Sequence, residues 1–271
     1  MSISSFHTHT RLCKHATGVP RDYAREAAAE GCLALGFSDH CPYSDGTWSG
    51  SRMAVGEVGK YRELVAEAAA ASPFPVRYGF ECEWHPRYES WYRDFLLGEN
   101  GAEFLAYGPH WVEDAGEFFY IPEAAESRLL KSYVDLTCGG IASGLYAYVA
   151  HPDLLLAGFT RMTDDVRAAC VDIIDAAVAA ALPLEVNGLG LMRPLIPGDG
   201  GMRAPYPVRE FWELAASRGA RIICNSDAHR PEDVVSSAKN AREFARAIGI
   251  EPEDAASVLF PELQGSREPS R

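Results

Sequence analysis

The chain has 271 residues and a formal net charge of -13, from 25 basic and 38 acidic side chains. Hydrophobic residues make up 47% and charged residues 23%, enough for a large core and too apolar for disorder. This charge excludes gripping nucleic acid or an anionic membrane through a general positive field, but not binding a phosphate group, because bound metal ions can reverse the local sign.

Met1–Phe6 is short and polar, with no charged segment leading into an apolar one. No stretch reaches about 18 uncharged apolar residues. A cytoplasmic protein without a membrane partner is therefore expected. The first predicted strand is Ser4–His9. A helix over Pro20–Glu30 opens with Pro in its first turn and stops before Gly31. A strand follows over Leu33–Ser38, and an Ala-, Glu- and Leu-rich helix over Val55–Ala71. Strand Val76–Cys82 leads to a short aromatic helix, Ser90–Leu97. Strand Glu103–Tyr107 leads to helix Glu123–Thr137, and strand Tyr146–Ala150 to helix Thr163–Ala181, with Thr163 as its cap. Strand Leu184–Asn187 precedes helix Val208–Arg218. Strand Arg221–Asn225 precedes helix Pro231–Ile248. Strands alternating with helices in one series predict a parallel sheet with crossover helices. No Gly/Ser/Pro-rich linker interrupts it, so a closed or nearly closed α/β barrel is expected as one domain over residues 1–250. Residues 251–271 form a tail that ends in Gly, Arg, Pro and Ser and is expected to fray.

Seven cysteines are scattered with no CxxC pair. That excludes a disulfide scaffold or a zinc finger and fits reduced thiols in a cytoplasmic protein. Cys13, Cys41 and Cys82 lie beside candidate ligands and are weak metal contacts at most. No GxGxxG or GxSxG motif is present, so neither a dinucleotide site nor a serine hydrolase is supported.

The histidines carry the functional signal. Seven of the eight fall at the ends of predicted strands or in the loops just after them. His7 and His9 end the first strand two residues apart, so both imidazoles face the same way. His15 lies in the following loop. His40 follows the second strand beside Asp39, and Glu81 ends the third. His110 follows the fourth strand and His151 the fifth. Glu185 and Asn187 end the sixth; Asp227 and His229 follow the seventh. In a parallel barrel these ends form one rim, where barrel active sites collect. His85, before Pro86, reads as a surface or supporting residue. Imidazoles and carboxylates suit Zn, Fe or Mn rather than an all-oxygen cage. So many ligands imply two to three divalent metal ions with a bridging carboxylate. Glu81 is the best-placed bridge and Glu83 a weaker one. Arg161 and Arg193 are candidate phosphate contacts, with Arg11 and Lys14 weaker.

The segments FHTHTRLCKHATG, GFSDHCP, GFECEW, PHW, YVAHPDL, LEVNGLG, APYP and NSDAH together resemble the PHP superfamily (polymerase and histidinol phosphatase), most closely its histidinol-phosphate phosphatase branch. The resemblance spans roughly residues 5–250 and implies a distorted (β/α)7 TIM-like barrel with a trinuclear centre. His7, His9, Glu81 and Asp227 would hold one ion. Glu81 would bridge to a second, held also by His110 and His151. His15, His40 and His229 would bind the third. Asp39 would support His40 or handle a proton. Arginines resembling Arg161 and Arg193 contact the substrate phosphate in this branch. The sixth-strand segment implies a substrate or supporting role for Glu185 and Asn187. Pro109 and Ala204 depart from the branch without touching a ligand.

The expected reaction is hydrolysis of a phosphate monoester by water that the ions acidify, with L-histidinol phosphate as substrate. Glu81, Asp39 and His229 are the candidate catalytic groups. Glu185, Asn187, Glu117, Trp111 and Tyr206 are available for the rest of the substrate. Alternatives are another small ester, such as a nucleoside bisphosphate or sugar phosphate, a phosphotyrosine-protein phosphatase, and a non-catalytic metal-binding protein. Oligomeric state is not readable from the sequence.

Overall fold

A computed structural model describes residues 3–124 and 126–264. Seven parallel strands form the barrel: β1 (Ile3–Ser5), β2 (Cys32–His40), β3 (Val76–Cys82), β4 (Phe104–Tyr107), β7 (Tyr148–Val149), β8 (Leu184–Asn187) and β11 (Ile222–Asn225). They pair in that order. The seam between β1 and β11 has no full ladder. One parallel bridge, Thr8 to Ala228, and the bond from His9 N to Ala228 O at 3.0 Å join it. Lower down, Phe6 N donates to Asn225 Oδ1 at 2.8 Å and Ser5 Oγ meets Ser226 Oγ at 3.0 Å. The barrel is thus nearly closed.

Helices α1 (Pro20–Ala29), α2 (Val58–Ala71), α3 (Ser127–Ala142), α5 (Asp164–Ala179), α6 (Arg209–Ser217) and α7 (Ser236–Ala247) surround it, with the short α4 (Leu155–Gly158) after β7. Thr163 caps α5 by accepting from Val166 N. Trp91–Glu99 is a π-helix rather than an ordinary helical turn. The turn Tyr120–Ala124 keeps α3 from starting at Glu123; it begins at Ser127. Two hairpins had no sequence signal: β5 (Trp111–Asp114) with β6 (Glu117–Tyr120), and β9 (Ile196–Gly198) with β10 (Gly201–Arg203). Both are short insertions outside the barrel, β5 packing against α3 and Arg203 of β10 donating to Leu156 O of α4, so no long apolar alternation marks them. No helix among the described residues is long and apolar enough to cross a membrane.

Alternation along the strands sorts the core. Phe80, Cys82, Leu105, Tyr107, Val149, Val186 and Cys224 pack outward under the helices. Phe6, Ala34, Phe104, Ala106, Tyr148 and Ile223 form a separate cluster inside the barrel. Gly79 is required there, since a Cβ would lie 2.6 Å from the Phe104 ring. The expected frayed tail is corrected in its described part. Asp254 caps α8 (Ala255–Leu259), and Phe260 plugs the inner cluster, 5.0 Å from the Phe6 ring and 5.7 Å from Phe104. Residues 265–271 lie outside the described chain. Apolar burial holds a segment that its polar flanks had marked as loose. Phe260→Ala should therefore cost about 3–4 kcal/mol of stability, read as a lower denaturant midpoint, with metal content unchanged.

Candidate metal centre

The barrel top gathers the strand-end residues around one carboxylate. Glu81 Oε2 lies 3.0 Å from His40 Nδ1 and 3.5 Å from both His7 Nε2 and His9 Nε2. Its Oε1 lies 3.0 Å from His151 Nε2 and 3.5 Å from His110 Nε2. Asp227 Oδ1 stands 3.1 Å from His9 Nε2, 3.4 Å from His7 Nε2 and 3.5 Å from His229 Nδ1. The Nε2 atoms of His7 and His9 approach to 3.1 Å. His229 stacks on His9 with ring centroids 4.2 Å apart, and His15 stands 4.8 Å from His229.

Such crowding of lone pairs fits cations. Glu81 Oε2, Asp227 Oδ1 and His40 Nδ1 are buried with no hydrogen-bond partner. Ligand atoms of His7, His9 and Glu81 fall within 4.8 Å of one another, as do those of His7, His151 and Asp227, and of His9, His40 and His229. Nitrogen and carboxylate donors at this spacing suit Zn, Fe or Mn. Burial disfavours charge on Glu81 and Asp227, yet neighbouring imidazoles outweigh it and hold both well below the usual carboxylate range. Burial likewise opposes charge on His7 and His9, but Asp227 with Glu185, and Asp227 with Asp39, raise them. Burial keeps His40 neutral despite Glu81 and, with His9, pushes His229 down to about 3.

A buried layer aims these side chains. Glu185 accepts from His7 Nδ1 at 2.9 Å, from Asn225 Nδ2 at 2.9 Å and from Asn187 Nδ2 at 2.7 Å. Asn187 Nδ2 also donates to Asp227 Oδ2 at 3.0 Å. Glu83 accepts from His110 Nδ1 and from Arg52 Nη2, each at 2.7 Å. Asp39 accepts from Thr10 and from His40 N at 2.9 Å, and its Oδ1 faces His9 Nδ1 at 3.6 Å. Gly108 lets the ligands close in, since a Cβ would lie 2.3 Å from Glu81 Oε1. His151 and Asp227 adopt φ of 30° and 52°, a left-handed conformation that costs about 1–3 kcal/mol each.

A cavity of about 410 Å³ opens above this cluster. Arg193, Tyr206 and Trp111 line it together with His15, His229 and the other rim histidines except His7, which is fully buried. Several expectations need correction. Arg161 is absent from the wall; it is exposed, with Nε 3.6 Å from Asp199 Oδ1, because the chain after α4 turns out toward the β9–β10 hairpin. Glu185 and Asn187 are fully buried beneath His7 and do not reach the cavity. Asp39 is also fully buried, faces His9 besides bonding His40 N, and does not line the cavity. Glu117, Arg11 and Lys14 stand elsewhere on the surface. Lys14 Nζ donates to Ser49 O at 2.6 Å, and His85 pairs with Glu113 at 2.6 Å. Cys13 is buried with its sulfur within 4.8 Å of ligand atoms of His15 and His229. Cys41 and Cys82 are buried as well.

Sequence reasoning missed Arg52, Tyr120 and Glu123, which all line the cavity. Arg52 comes from a loop with no motif; a fully buried guanidinium on Glu83 is visible only after folding. Glu185→Gln should lower metal affinity roughly 10- to 100-fold, measured by chelator competition. Full metal affinity with a raised KM would instead return Glu185 to the substrate.

A PHP domain model matches residues 5–188. A Deinococcus radiodurans protein named "Probable histidinol-phosphatase" is 30% identical over 256 residues, covering 90% of this chain and 92% of the relative. Among solved structures, hisK from Listeria monocytogenes superposes with a TM-score of 0.67 at 19% identity, over 85% of this chain and 97% of that one. The histidinol phosphate phosphatase (HISK) from Lactococcus lactis, crystallised with Zn, L-histidinol and phosphate, superposes with a TM-score of 0.70 at 14% identity, over 93% and 96%. Both share the distorted (β/α)7 fold described above. The family match runs from β1 to the end of β8 and the relative spans nearly the whole sequence, so the chain belongs to the PHP domain family.

Proposed function

We propose that the chain is a metal-dependent phosphomonoesterase of the cytoplasm that hydrolyses L-histidinol phosphate to L-histidinol and phosphate. One observation carries the reading: Glu81 divides its two oxygens between two sets of histidines at the floor of a cavity that also holds Arg193. The name of the Deinococcus relative supports the substrate, as does the ligand set of the Lactococcus structure. A cavity of about 410 Å³ suits a small ester better than a peptide-bearing one.

His7, His9, Glu81 and Asp227 would hold one ion, Glu81, His110 and His151 a second, and His15, His40 and His229 a third. Divalent ions so bound supply Lewis-acid charge neutralisation and acidify water near neutral pH. The chain supplies the alignment. Glu185 holds the His7 ring through Nδ1, and Glu83 holds His110 the same way while Arg52 balances its charge. Asp39 acts through His9 and His40, since it has no path to the cavity. Arg193 neutralises phosphoryl oxygens, with Tyr206 beside His151 at 5.9 Å shaping the wall. His229 lines the cavity with Nδ1 3.0 Å from Asp227 O, which leaves Nε2 as the nitrogen that would serve the third ion.

Turnover of L-histidinol phosphate beside a panel of phosphate esters, with bound metals measured on the same sample, tests the reading. It fails if L-histidinol phosphate is hydrolysed no faster than a generic aryl phosphate. His151→Ala should nearly abolish turnover while circular dichroism stays unchanged. Arg193→Ala should lower kcat/KM roughly 10- to 100-fold with full metal content. Arg161→Ala should leave both as they are, and a large loss there would place Arg161 back at the phosphate.

A further inference from the structure

Four carboxylates line the cavity, and three are already engaged. Glu81 and Asp227 lie among the imidazoles, and Glu83 is bound to Arg52 and His110. The fourth, Glu123, has no side-chain hydrogen bond or ion pair among the described residues. It nevertheless has a defined place. Glu123 N donates to Tyr120 O at 3.0 Å, and Ile121 N donates to His110 O at 2.9 Å. The turn that carries Glu123 is therefore tied to a residue of the metal cluster. Trp111 and Tyr120, facing each other across the β5–β6 hairpin, stand beside it with ring centroids 5.3 Å apart. Tyr120 stacks parallel to His110 at 6.5 Å.

The cavity thus combines two chemistries. The cation-binding cluster and Arg193 attract an anion. The hairpin side offers two aromatic rings, Trp111 stacked on Trp48 and Tyr120 on His110, and one unpaired carboxylate, a wall suited to an organic cation. A ligand that fits both is a phosphate ester whose alcohol carries positive charge or a nitrogen heterocycle.

We propose that Glu123, with Trp111 and Tyr120, forms the leaving-group subsite and selects esters of ammonium- or imidazole-bearing alcohols over neutral ones. The inference rests on the phosphatase reading and names the groups that give it specificity. Glu123 pairs with the ammonium or imidazolium, and the rings cover its apolar face. A neutral sugar phosphate gains nothing from the carboxylate.

Glu123→Gln tests it, assayed beside the unaltered enzyme on L-histidinol phosphate and p-nitrophenyl phosphate. The ratio of kcat/KM for the two esters should fall about tenfold, carried by KM for L-histidinol phosphate. L-Histidinol should weaken by about the same factor as an inhibitor of p-nitrophenyl phosphate hydrolysis, while inorganic phosphate inhibits as before. An unchanged ratio with unchanged L-histidinol inhibition overturns the subsite. So does an unaltered enzyme that L-histidinol does not inhibit. If the unaltered enzyme fails to hydrolyse L-histidinol phosphate yet L-histidinol inhibits through Glu123, the substrate reading falls and the subsite stands.

Discussion

The structure depends on holding one carboxylate, Glu81, among five imidazoles away from water. Its side chain is 1% exposed, and both oxygens face ring nitrogens. Desolvating a carboxylate costs several kcal/mol unless opposite charge and well-aimed partners return it. The fold answers with histidines from β1, β2, β4 and β7, each arriving at the same end of its strand. Parallel strands make this possible, because every strand delivers its C-terminal residue to the same rim.

The interior of the barrel supports that rim from below. Phe260, Phe6 and Phe104 fill the lower end, and the inward positions turn polar toward the top. Tyr148 marks the change: its ring belongs to the apolar cluster and its hydroxyl donates to Phe6 O at 2.8 Å. Above it, Glu185 faces into the barrel and orients His7. Without the layer of Glu185, Asn187, Asn225, Glu83 and Asp39, the upper imidazoles would be free to rotate out of register. Left-handed backbone at His151 and Asp227 is tolerated because this layer over-determines both positions.

The net charge of -13 describes the surface and not the site. Many acidic side chains lie on the exposed surface, and some pair with neighbouring arginines or lysines, as Asp175 does with Arg218. Such pairs contribute little. Inside the cavity the charges are few and each has its own surroundings: Arg52 buried on Glu83, Arg193 on the wall, Glu123 at the hairpin.

The barrel and its rim were legible in the sequence, because both rest on local signals. Strand–helix alternation set the parallel topology, and β8 falls over the expected residues. The pattern predicts a first strand over Ser4–His9, but its ladder covers only Ile3–Ser5; beyond it the chain divides its bonds, Thr8 O accepting from Ser38 N of β2 and His9 N donating across the seam to Ala228 O. The clustering of His7, His9, His40, Glu81, His110, His151 and Asp227 followed from strand-end position alone. What only the tertiary structure decided was which neighbours those residues meet. Glu185 and Asn187 sit at strand ends like the histidines, yet they lie a layer below the cavity. Arg161 is swung away from the cavity by the loop after α4, and Arg52 is drawn in from a loop with no periodicity. Strand ends are placed by backbone pairing, which the local pattern encodes. The reach and burial of a loop side chain depend on partners far away in the chain, and only folding brings those together.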